Sequence, residues 1–272
     1  MQELDLKKLH DKTYELAKEF HQICRTHHLS YYMIGGTMLG AFREKDFIPW
    51  DDDMDIAMPR RDYDKLMKIR NEVRTDILSI EYPDKDSFPW GYARVFHRGT
   101  TLIQGAFNYP GGVFIDLYPL DNAGENIFTR YIYTTVYKIY DGLKLKAASS
   151  DRYHVARGRL IDNYAASKGS LYWINRKESF FRKLAKRRPK YLANYYGIYM
   201  DKEIMPAEVF GKPVLYRFRD TKFYGVADPD YYLTRLYGKN YMTPPPPNAR
   251  KNTRHSCKYV NFDESYEQFR RK

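Results

Sequence analysis

The sequence predicts an α+β fold (mixed α/β), in which a mixed sheet is flanked by helices and is followed by a mostly helical second layer. Three observations support this class. An amphipathic helix and a series of short strands occupy residues 1–122, the middle of the chain has helical spacing, and short strands return near the end. The 272 residues, 43% hydrophobic and 29% charged, are typical of a globular protein with a sizeable core.

We assign residues 1–126 to the first segment. A helix opens it, because Leu9, Leu16 and Phe20 share one face with their neighbours. A strand at 31–34 then ends at Gly35-Gly36, where a second helix begins. The pattern next predicts a strand at 54–58 and a helix over 63–73. Further strands are predicted at 77–82, 91–98 and 112–117.

The middle and the end of the chain form two further segments. Residues 127–200 are predicted to be mostly helical, and their stretch 173–190 combines aromatic residues with many Lys and Arg. Residues 201–272 return to the core with strands at 214–218 and 222–226 and a helix at 229–237. The four prolines 244–247 then predict an extended turn before a basic tail.

Charge and cysteine content restrict the possible functions. The formal net charge of +12 indicates an anionic partner, which composition alone does not identify. Two cysteines, Cys24 and Cys257, exclude a disulfide framework and a cysteine-based zinc site. We find no run of about 20 apolar residues and no apolar leader at the start, and we therefore expect a soluble, cytoplasmic protein.

The densest chemical feature is Ile48-Pro-Trp-Asp-Asp-Asp-Met-Asp-Ile56, with four carboxylates in five positions. On an extended strand Asp53 and Asp55 share a face, and two close carboxylates repel each other. A hard divalent cation, Mg²⁺ or Mn²⁺, relieves that repulsion and also binds phosphates. The competing interpretation is an acidic turn whose aspartates cap a helix.

A glycine motif precedes the acidic segment by about a dozen residues. Gly35-Gly-Thr-Met-Leu-Gly40-Ala-Phe-Arg43 places a glycine pair at the start of a helix, where free N–H groups and the helix dipole favour a phosphate. Thr37 can add a hydroxyl and Arg43 can bind a phosphate through its guanidinium. A glycine pair alone is often only a turn, but next to a metal site it predicts a nucleotide-diphosphate site.

A third carboxylate, Asp116, lies inside the apolar run Val113-Phe-Ile-Asp116-Leu. A carboxylate without a partner is costly there, and a strand next to the acidic segment would bring Asp116 to Asp53 and Asp55. The alternative is an Asp at a strand end that is held by backbone donors.

These three motifs, in this order, resemble the LicD family, which includes bacterial phosphocholine transferases and the eukaryotic fukutin and fukutin-related proteins. The resemblance is strongest over residues 31–121. It returns at 228–255, where Tyr237-Gly-Lys-Asn-Tyr-Met-Thr-Pro-Pro and His255 are similar to the family's C-terminal signature.

The resemblance implies a nucleotidyltransferase-like fold that moves a phospho-alcohol from a CDP-activated donor to a glycan hydroxyl and releases CMP. It implies that Asp53, Asp55 and Asp116 are the metal ligands. It also implies a phosphate loop of Gly35, Gly36, Thr37 and Arg43, a basic residue, Arg94, that can touch the donor diphosphate, and His255 near the site.

The general base and the acceptor stay open at this stage. Asp51 is our first candidate for the base, although a turn residue fits it equally, and His255 is the second candidate. Stretch 173–190 suits either the anionic inner face of a membrane, where lipid-linked glycan acceptors reside, or an ordinary solvated helix.

Three hypotheses for the function therefore stand. The first is transfer of phosphocholine, or of glycerol or ribitol phosphate, to a cell-surface glycan or a teichoic-acid-type precursor. The second is a nucleotidyltransferase that leaves the nucleotide on the acceptor. The third, a nucleic-acid binder, is disfavoured because the sequence has none of the usual nucleic-acid-binding signatures.

Overall fold

The computed structural model describes residues 4–84, 88–105, 108–152, 160–185, 188–249 and 257–270. The fold is α+β, as predicted, with a mixed sheet and flanking helices. The chain divides into two compact units. Unit 1 comprises residues 1–82, 92–119 and 208–272, and unit 2 comprises residues 83–91 and 120–207. The functional division at 126 and 200 stays a prediction.

Eight helices run through the described chain. They are α1 Leu6–Thr26, α2 Gly35–Arg43, α3 Arg60–Ile69, α4 Ile127–Arg152, α5 Leu160–Lys168, α6 Ser170–Leu184, α7 Ala207–Phe210 and α8 Pro229–Tyr237.

Twelve strands accompany them. They are β1 Tyr32–Met33, β2 Asp55–Pro59, β3 Leu78–Glu81, β4 Ala93–His97, β5 Thr101–Gln104, β6 Pro110–Gly111, β7 Phe114–Asn122, β8 Tyr191–Ala193, β9 Ile204–Pro206, β10 Val214–Phe218, β11 Thr221–Gly225 and β12 Cys257–Asn261.

Helix α1 confirms the predicted amphipathic helix at the start of the chain. Asp5 caps it, because its side chain accepts a hydrogen bond from the N–H of Lys8 at 3.1 Å. The predicted apolar face is buried, including Leu9, Leu16 and Phe20. Each such side chain contributes about 1.5–3 kcal/mol of burial free energy, which holds α1 in unit 1.

The main sheet of unit 1 has the strand order β10-β11-β1-β2-β7-β4-β3. Strand β1 is parallel to β11 and antiparallel to β2, whereas the β10–β11, β3–β4 and β4–β7 pairs are antiparallel. The acidic strand β2 therefore lies beside β7, which carries Asp116. A smaller sheet, β12-β5-β6, brings the end of the chain back to unit 1.

Unit 2 contains three helices and a small strand pair. Helix α4 packs on α6 through aromatic contacts, such as Tyr137 to Phe181 at 6.4 Å and Tyr140 to Trp173 at 6.4 Å between ring centroids. Strand β8 pairs with β9 and with the end of β7. Helices α4, α5 and α6 agree with the mostly helical prediction for 127–200, and β8, in the apolar run near 191, is the described strand within that range.

The apolar side of α6 is part of this core. Trp173, Ile174 and Phe181 are buried, while Arg176 and Lys183 point to solvent. These two aromatic side chains therefore pack inside unit 2. Their burial favours the alternative interpretation of α6, an ordinary amphipathic helix with a solvated basic face, and membrane contact by stretch 173–190 stays a prediction.

None of the helices within the described ranges is both long enough and apolar enough to cross a bilayer.

Candidate active site around the acidic segment

The acidic segment lies between α2 and β2 and is held by backbone contacts. Only Asp55 belongs to β2, and Asp53 lies two residues before the strand, so their predicted shared face stays a prediction. The N–H of Asp55 donates to the hydroxyl of Thr37 at 2.8 Å, and the N–H of Ile34 donates to the carbonyl of Asp55 at 3.1 Å. The start of α2 and the acidic segment are thus joined.

Three carboxylates of this segment form a close group. Asp51, Asp52 and Asp53 each offer an oxygen, and these oxygens lie within 4.8 Å of one another. Asp52 is buried and the other two are half-buried. Like charges at such distances favour a bound cation, and oxygen ligands suit Mg²⁺ or Mn²⁺. This group shares Asp53 with the predicted ligand set, which stays a prediction.

The glycine pair makes room for two of these acids. Gly35 has a φ of +53°, and a Cβ there would lie 3.3 Å from Oδ2 of Asp55. A Cβ on Gly36 would lie 2.5 Å from Oδ2 of Asp51. Any side chain at residue 36 would therefore displace the Asp51 carboxylate. The motif predicted to approach a phosphate also lets two carboxylates approach the start of α2.

Two predicted phosphate-binding groups have partners within the protein. The hydroxyl of Thr37 is buried and accepts the N–H of Asp55. Arg43 donates from Nε to Oε1 of Glu44 at 2.7 Å and from Nη1 to the carbonyl of Tyr241 at 2.9 Å. Arg43 thus ties the end of α2 to the chain after α8, and its contact with a phosphate stays a prediction.

Asp116 lies on β7, the strand beside β2, and its N–H donates to the carbonyl of Met54 at 3.0 Å. The expected neighbouring strand is therefore present. The side chain of Asp116 is 3% exposed and accepts hydrogen bonds from Nε and Nη2 of Arg94. The hydroxyls of Tyr92 and Tyr118 donate to Oδ2 at 3.3 Å each. Four side-chain hydrogen bonds therefore hold this carboxylate in place.

Arg94 is also buried and has several partners within the protein. It is 2% exposed, donates to Oε1 of Gln104 at 2.8 Å, and lies 3.8 Å from the ring centroid of Phe114. Burial is the largest single influence and opposes the charge of Arg94. The charge of Asp116, its hydrogen bond and the nearby Tyr92 and Tyr118 together outweigh burial, so the pKa of Arg94 lies above its ordinary value. Its predicted contact with a donor diphosphate stays a prediction.

Tyrosines next to the acids were missed by the sequence reasoning. Burial raises the pKa of Tyr92 and of Tyr118, and the charges of Asp116 and Asp55 raise both further. Both acids are thus electrostatically coupled to this tyrosine pair. The available signal was the spacing, because Tyr118 and Asp116 are two residues apart and share a face of β7.

Two more neighbours of the acidic segment were missed. A ring nitrogen of His10, Nε2, is 2.7 Å from the carbonyl oxygen of Asp51, and burial lowers the pKa of His10. Cys257, at the start of β12, has a pKa raised mainly by burial and also by the charge of Asp52. The predicted base candidate His255 lies outside the described residues, two positions before Cys257.

Comparisons with known proteins point to one family. Residues 28–140 match the profile of the LicD/FKTN/FKRP nucleotidyltransferase domain. The lipopolysaccharide cholinephosphotransferase LicD of Haemophilus influenzae is 25% identical over 241 residues, which cover 85% of this chain and 89% of that protein. Uncharacterized proteins of Rickettsia prowazekii and Rickettsia typhi are 38% and 39% identical over only 56 and 49 residues.

Proposed function

Because residues 28–140 are a nucleotidyltransferase domain of the LicD family, we propose that this chain is a transferase that places phosphocholine on a lipopolysaccharide-type glycan. The observation that carries the proposal lies inside the matched domain: the carboxylates of Asp51 and Asp55 approach Gly36 and Gly35 at the start of α2. A helix start that can bind a phosphate, next to carboxylates that can bind a cation, suits transfer from a diphosphate donor.

We propose a CDP-activated donor, CDP-choline, from which CMP leaves. Asp53 and Asp55, with Asp116 on the neighbouring strand, would hold a divalent cation, Mg²⁺ or Mn²⁺. The close carboxylates of Asp51, Asp52 and Asp53 support this proposal, because clustered oxygen ligands suit a divalent cation. When bound, the cation supplies charge neutralisation on the diphosphate.

The protein's own groups would orient the reaction. The N-cap residue of α2, Ile34, makes no side-chain cap, and the N–H of Gly35 donates to the hydroxyl of Tyr232 at 3.0 Å. The positive end of α2 would face a donor phosphate near Gly36. Asp51, which lies beside Gly36, would accept the proton of the acceptor hydroxyl as that oxygen attacks phosphorus in line with the leaving CMP. Arg43 and Arg94 would add positive charge, and His255 is the second candidate for the base.

The pairing of Arg94 with Asp116 defines the proposed role of Arg94. Since its guanidinium already binds the carboxylate of Asp116 on β7, Arg94 would act on the donor diphosphate by its charge and not by direct contact. The backbone N–H of Asp116 also bonds to the carbonyl of Met54, which fixes β7, and with it the proposed ligand Asp116, against the acidic segment. We propose that the acceptor is a lipid-linked glycan or teichoic-acid-type precursor that is met in the cytoplasm, at the inner face of the membrane.

Product analysis tests the proposal. The protein would be incubated with Mg²⁺, a choline-free lipopolysaccharide acceptor, and CDP-choline, CDP-glycerol or CDP-ribitol in parallel. We expect free CMP and an acceptor that gains phosphocholine, detected by mass spectrometry. The donor that raises the melting temperature most should be the one that is consumed.

The alternatives have distinct signatures in the same assay. Turnover of CDP-glycerol or CDP-ribitol instead of CDP-choline would identify an alditol-phosphate transferase. An acceptor that gains a whole nucleotide unit would contradict phosphotransfer and identify a nucleotidyltransferase. Binding of nucleic acid is not expected, and filter binding with RNA at physiological salt checks this.

A further inference from the structure

Exposed apolar side chains are concentrated on two helices of unit 2. Within the described ranges, 16 large hydrophobic side chains are exposed, and nine of them lie on α4 and α5. Phe128 is 69% exposed, Ile139 is 55% exposed and Leu160 is 90% exposed. Exposed apolar groups that are scattered singly are normal, but a contiguous set on one pair of helices marks an interaction surface.

The outer side of α4 carries a helical stripe. Phe128, Ile132 and Ile139 recur at steps of four and seven, and all three are exposed. The opposite side of α4 packs on α6 through Tyr133, whose ring lies 5.9 Å from that of Phe180, and through its neighbours. Because the inner side already provides the packing, the outer stripe is not needed to hold α4 in unit 2.

Helix α5, which packs beside α4, also carries exposed apolar side chains. The ammonium group of Lys146 on α4 pairs with the carboxylate of Asp162 on α5, which ties the two helices together. On α5, Leu160, Ile161 and Tyr164 are more than half exposed. We call the exposed residues of these two helices the α4–α5 face: Ile127, Phe128, Tyr131, Ile132, Ile139, Leu145, Leu160, Ile161 and Tyr164.

The positive charge of unit 2 favours an anionic surface as the partner of this face. Unit 2 contains 18 Lys and Arg against 10 Asp and Glu, so it carries +8 of the chain's +12. Exposed Lys138 is next to Ile139, and Lys168 Nζ lies 5.9 Å from the ring centroid of Tyr164. Aliphatic side chains bordered by lysine and tyrosine are typical of helices that lie in a membrane interface. The core of a protein–protein interface, by contrast, is depleted of lysine.

We propose that the α4–α5 face docks on the surface of an anionic lipid bilayer. The aliphatic and aromatic side chains enter the headgroup region, and Lys138 and Lys168 contact lipid phosphates. Docking would keep the chain at the surface where lipid-linked glycans are found. The inference rests on the exposed residues of unit 2 and not on the transfer reaction, so the failure of either leaves the other standing.

Vesicle sedimentation tests docking without any substrate. The full chain would be mixed at 0.15 M NaCl with vesicles of phosphatidylcholine alone or of phosphatidylcholine with one quarter phosphatidylglycerol. We expect strong sedimentation only with the anionic vesicles. The double variant Phe128→Ser/Ile139→Ser should lose about tenfold or more in partitioning, and its melting temperature should not change because both side chains are exposed.

Matched variants separate the apolar and the electrostatic contributions. Leu215→Ser, which removes an apolar side chain that is 49% exposed in unit 1, should bind vesicles like the wild type. Lys138→Glu/Lys168→Glu should weaken binding to anionic vesicles and leave binding to phosphatidylcholine vesicles unchanged.

Three results would overturn the proposal. The first is a wild-type chain that does not sediment with anionic vesicles. The second is equal partitioning of the wild type and the Phe128→Ser/Ile139→Ser variant, which would indicate adsorption by net charge alone. The third is a wild-type dimer, seen by light scattering, that this variant converts to a monomer without any loss of vesicle binding. That result would make the face an interface between copies of the chain.

Discussion

The two units bury charged side chains in opposite ways. In unit 1, Arg94 and Asp116 share two N–H···O bonds, Tyr92 and Tyr118 donate to the carboxylate, and Gln104 accepts from the guanidinium. Attraction outweighs burial in this pair, and the pKa of Arg94 is raised. The guanidinium of Arg94 is buried and yet keeps its charge, because it meets several complementary groups.

In unit 2, Lys177 has fewer compensating groups. Its Nζ lies 3.3 Å from Oδ1 of Asp141, but Lys144 also binds that carboxylate, at 2.9 Å. The rings of Tyr137 and Tyr196 lie 4.7 and 4.2 Å from Nζ. Burial dominates and lowers the pKa of Lys177 to about 8. A shared carboxylate and two aromatic faces do not replace the solvation that this ammonium group loses.

Glu203 is the acidic counterpart in unit 2. Burial raises its pKa to about 7, and a hydrogen bond with the backbone of Tyr199 only partly opposes the shift. Burial alone therefore does not decide whether a side chain keeps its charge. The number and the sign of the neighbouring groups decide, and unit 1 places several complementary groups around Arg94, where the proposed chemistry takes place.

The largest expected effect is on catalysis in unit 1. Asp53→Ala or Asp55→Ala should lower turnover by about 10³-fold or more, because each removes a proposed ligand of the cation. The free energy of unfolding should not fall, since losing one of several like charges relieves repulsion. Steady-state kinetics with CDP-choline measures the effect, with Asp263→Ala as the exposed control. Near-normal activity in either variant would contradict the metal assignment.

The next effect tests the contrast between the two buried cations. Arg94→Met should lower the free energy of unfolding by about 3–5 kcal/mol, because it leaves Asp116 buried without its main partner. Lys177→Met should cost about 1 kcal/mol or less, since Asp141 keeps Lys144. Urea denaturation at pH 7 measures both variants. Equal losses would show that the two environments do not differ as described.

Glu203→Gln should raise the free energy of unfolding by about 2–3 kcal/mol at pH 8. In the wild type, the folded state holds its proton up to about pH 7, whereas the unfolded state releases it near pH 4.5. Stability from this group is therefore complete below pH 4.5 and is lost as the pH rises through 7. Urea denaturation at pH 4 and pH 8 should show a gain only at pH 8. The same gain at both pH values would rule out this cause.

The smallest effect concerns the pH dependence of Lys177. Because its folded pKa, about 8, lies below the ordinary value of 10.5, the unfolded state binds more protons between these values. Stability should therefore rise with pH in that window. The wild type should gain about 1 kcal/mol relative to Lys177→Met between pH 8 and pH 9.5, and the subtraction cancels the titration of the tyrosines. If the stability difference between the wild type and Lys177→Met did not change between pH 8 and pH 9.5, the ammonium group of Lys177 would be solvated.

Much of unit 1 could be predicted because its signals are local. The apolar spacing in α1 and the glycine pair before α2 each follow from neighbours in sequence, and strand β2 follows Asp53 by two residues. The prediction that a strand bearing Asp116 lies beside the acidic segment is confirmed. It could be made from the sequence because an unpartnered carboxylate inside an apolar run is costly to bury.

The partners of these residues could not be predicted, because they come from distant parts of the chain. The sequence contains no sign that Arg94 pairs with Asp116 or that His10 contacts the carbonyl of Asp51. The same holds for α6, whose aromatic stripe fits a membrane face and a helix–helix core equally well. The contacts with α4 bury Trp173 and Phe181 of α6, whereas α4 itself carries exposed apolar side chains.

Mn²⁺ binding measures directly whether the acidic segment holds a divalent cation. Electron paramagnetic resonance can count the Mn²⁺ bound per chain in the presence of CDP-choline, without any need for turnover. We expect at least one tightly bound Mn²⁺ in the wild type and loss of that ion in Asp53→Asn/Asp55→Asn, which keeps the shape of both side chains. Equal Mn²⁺ binding by the two proteins, or none by the wild type, would contradict this expectation.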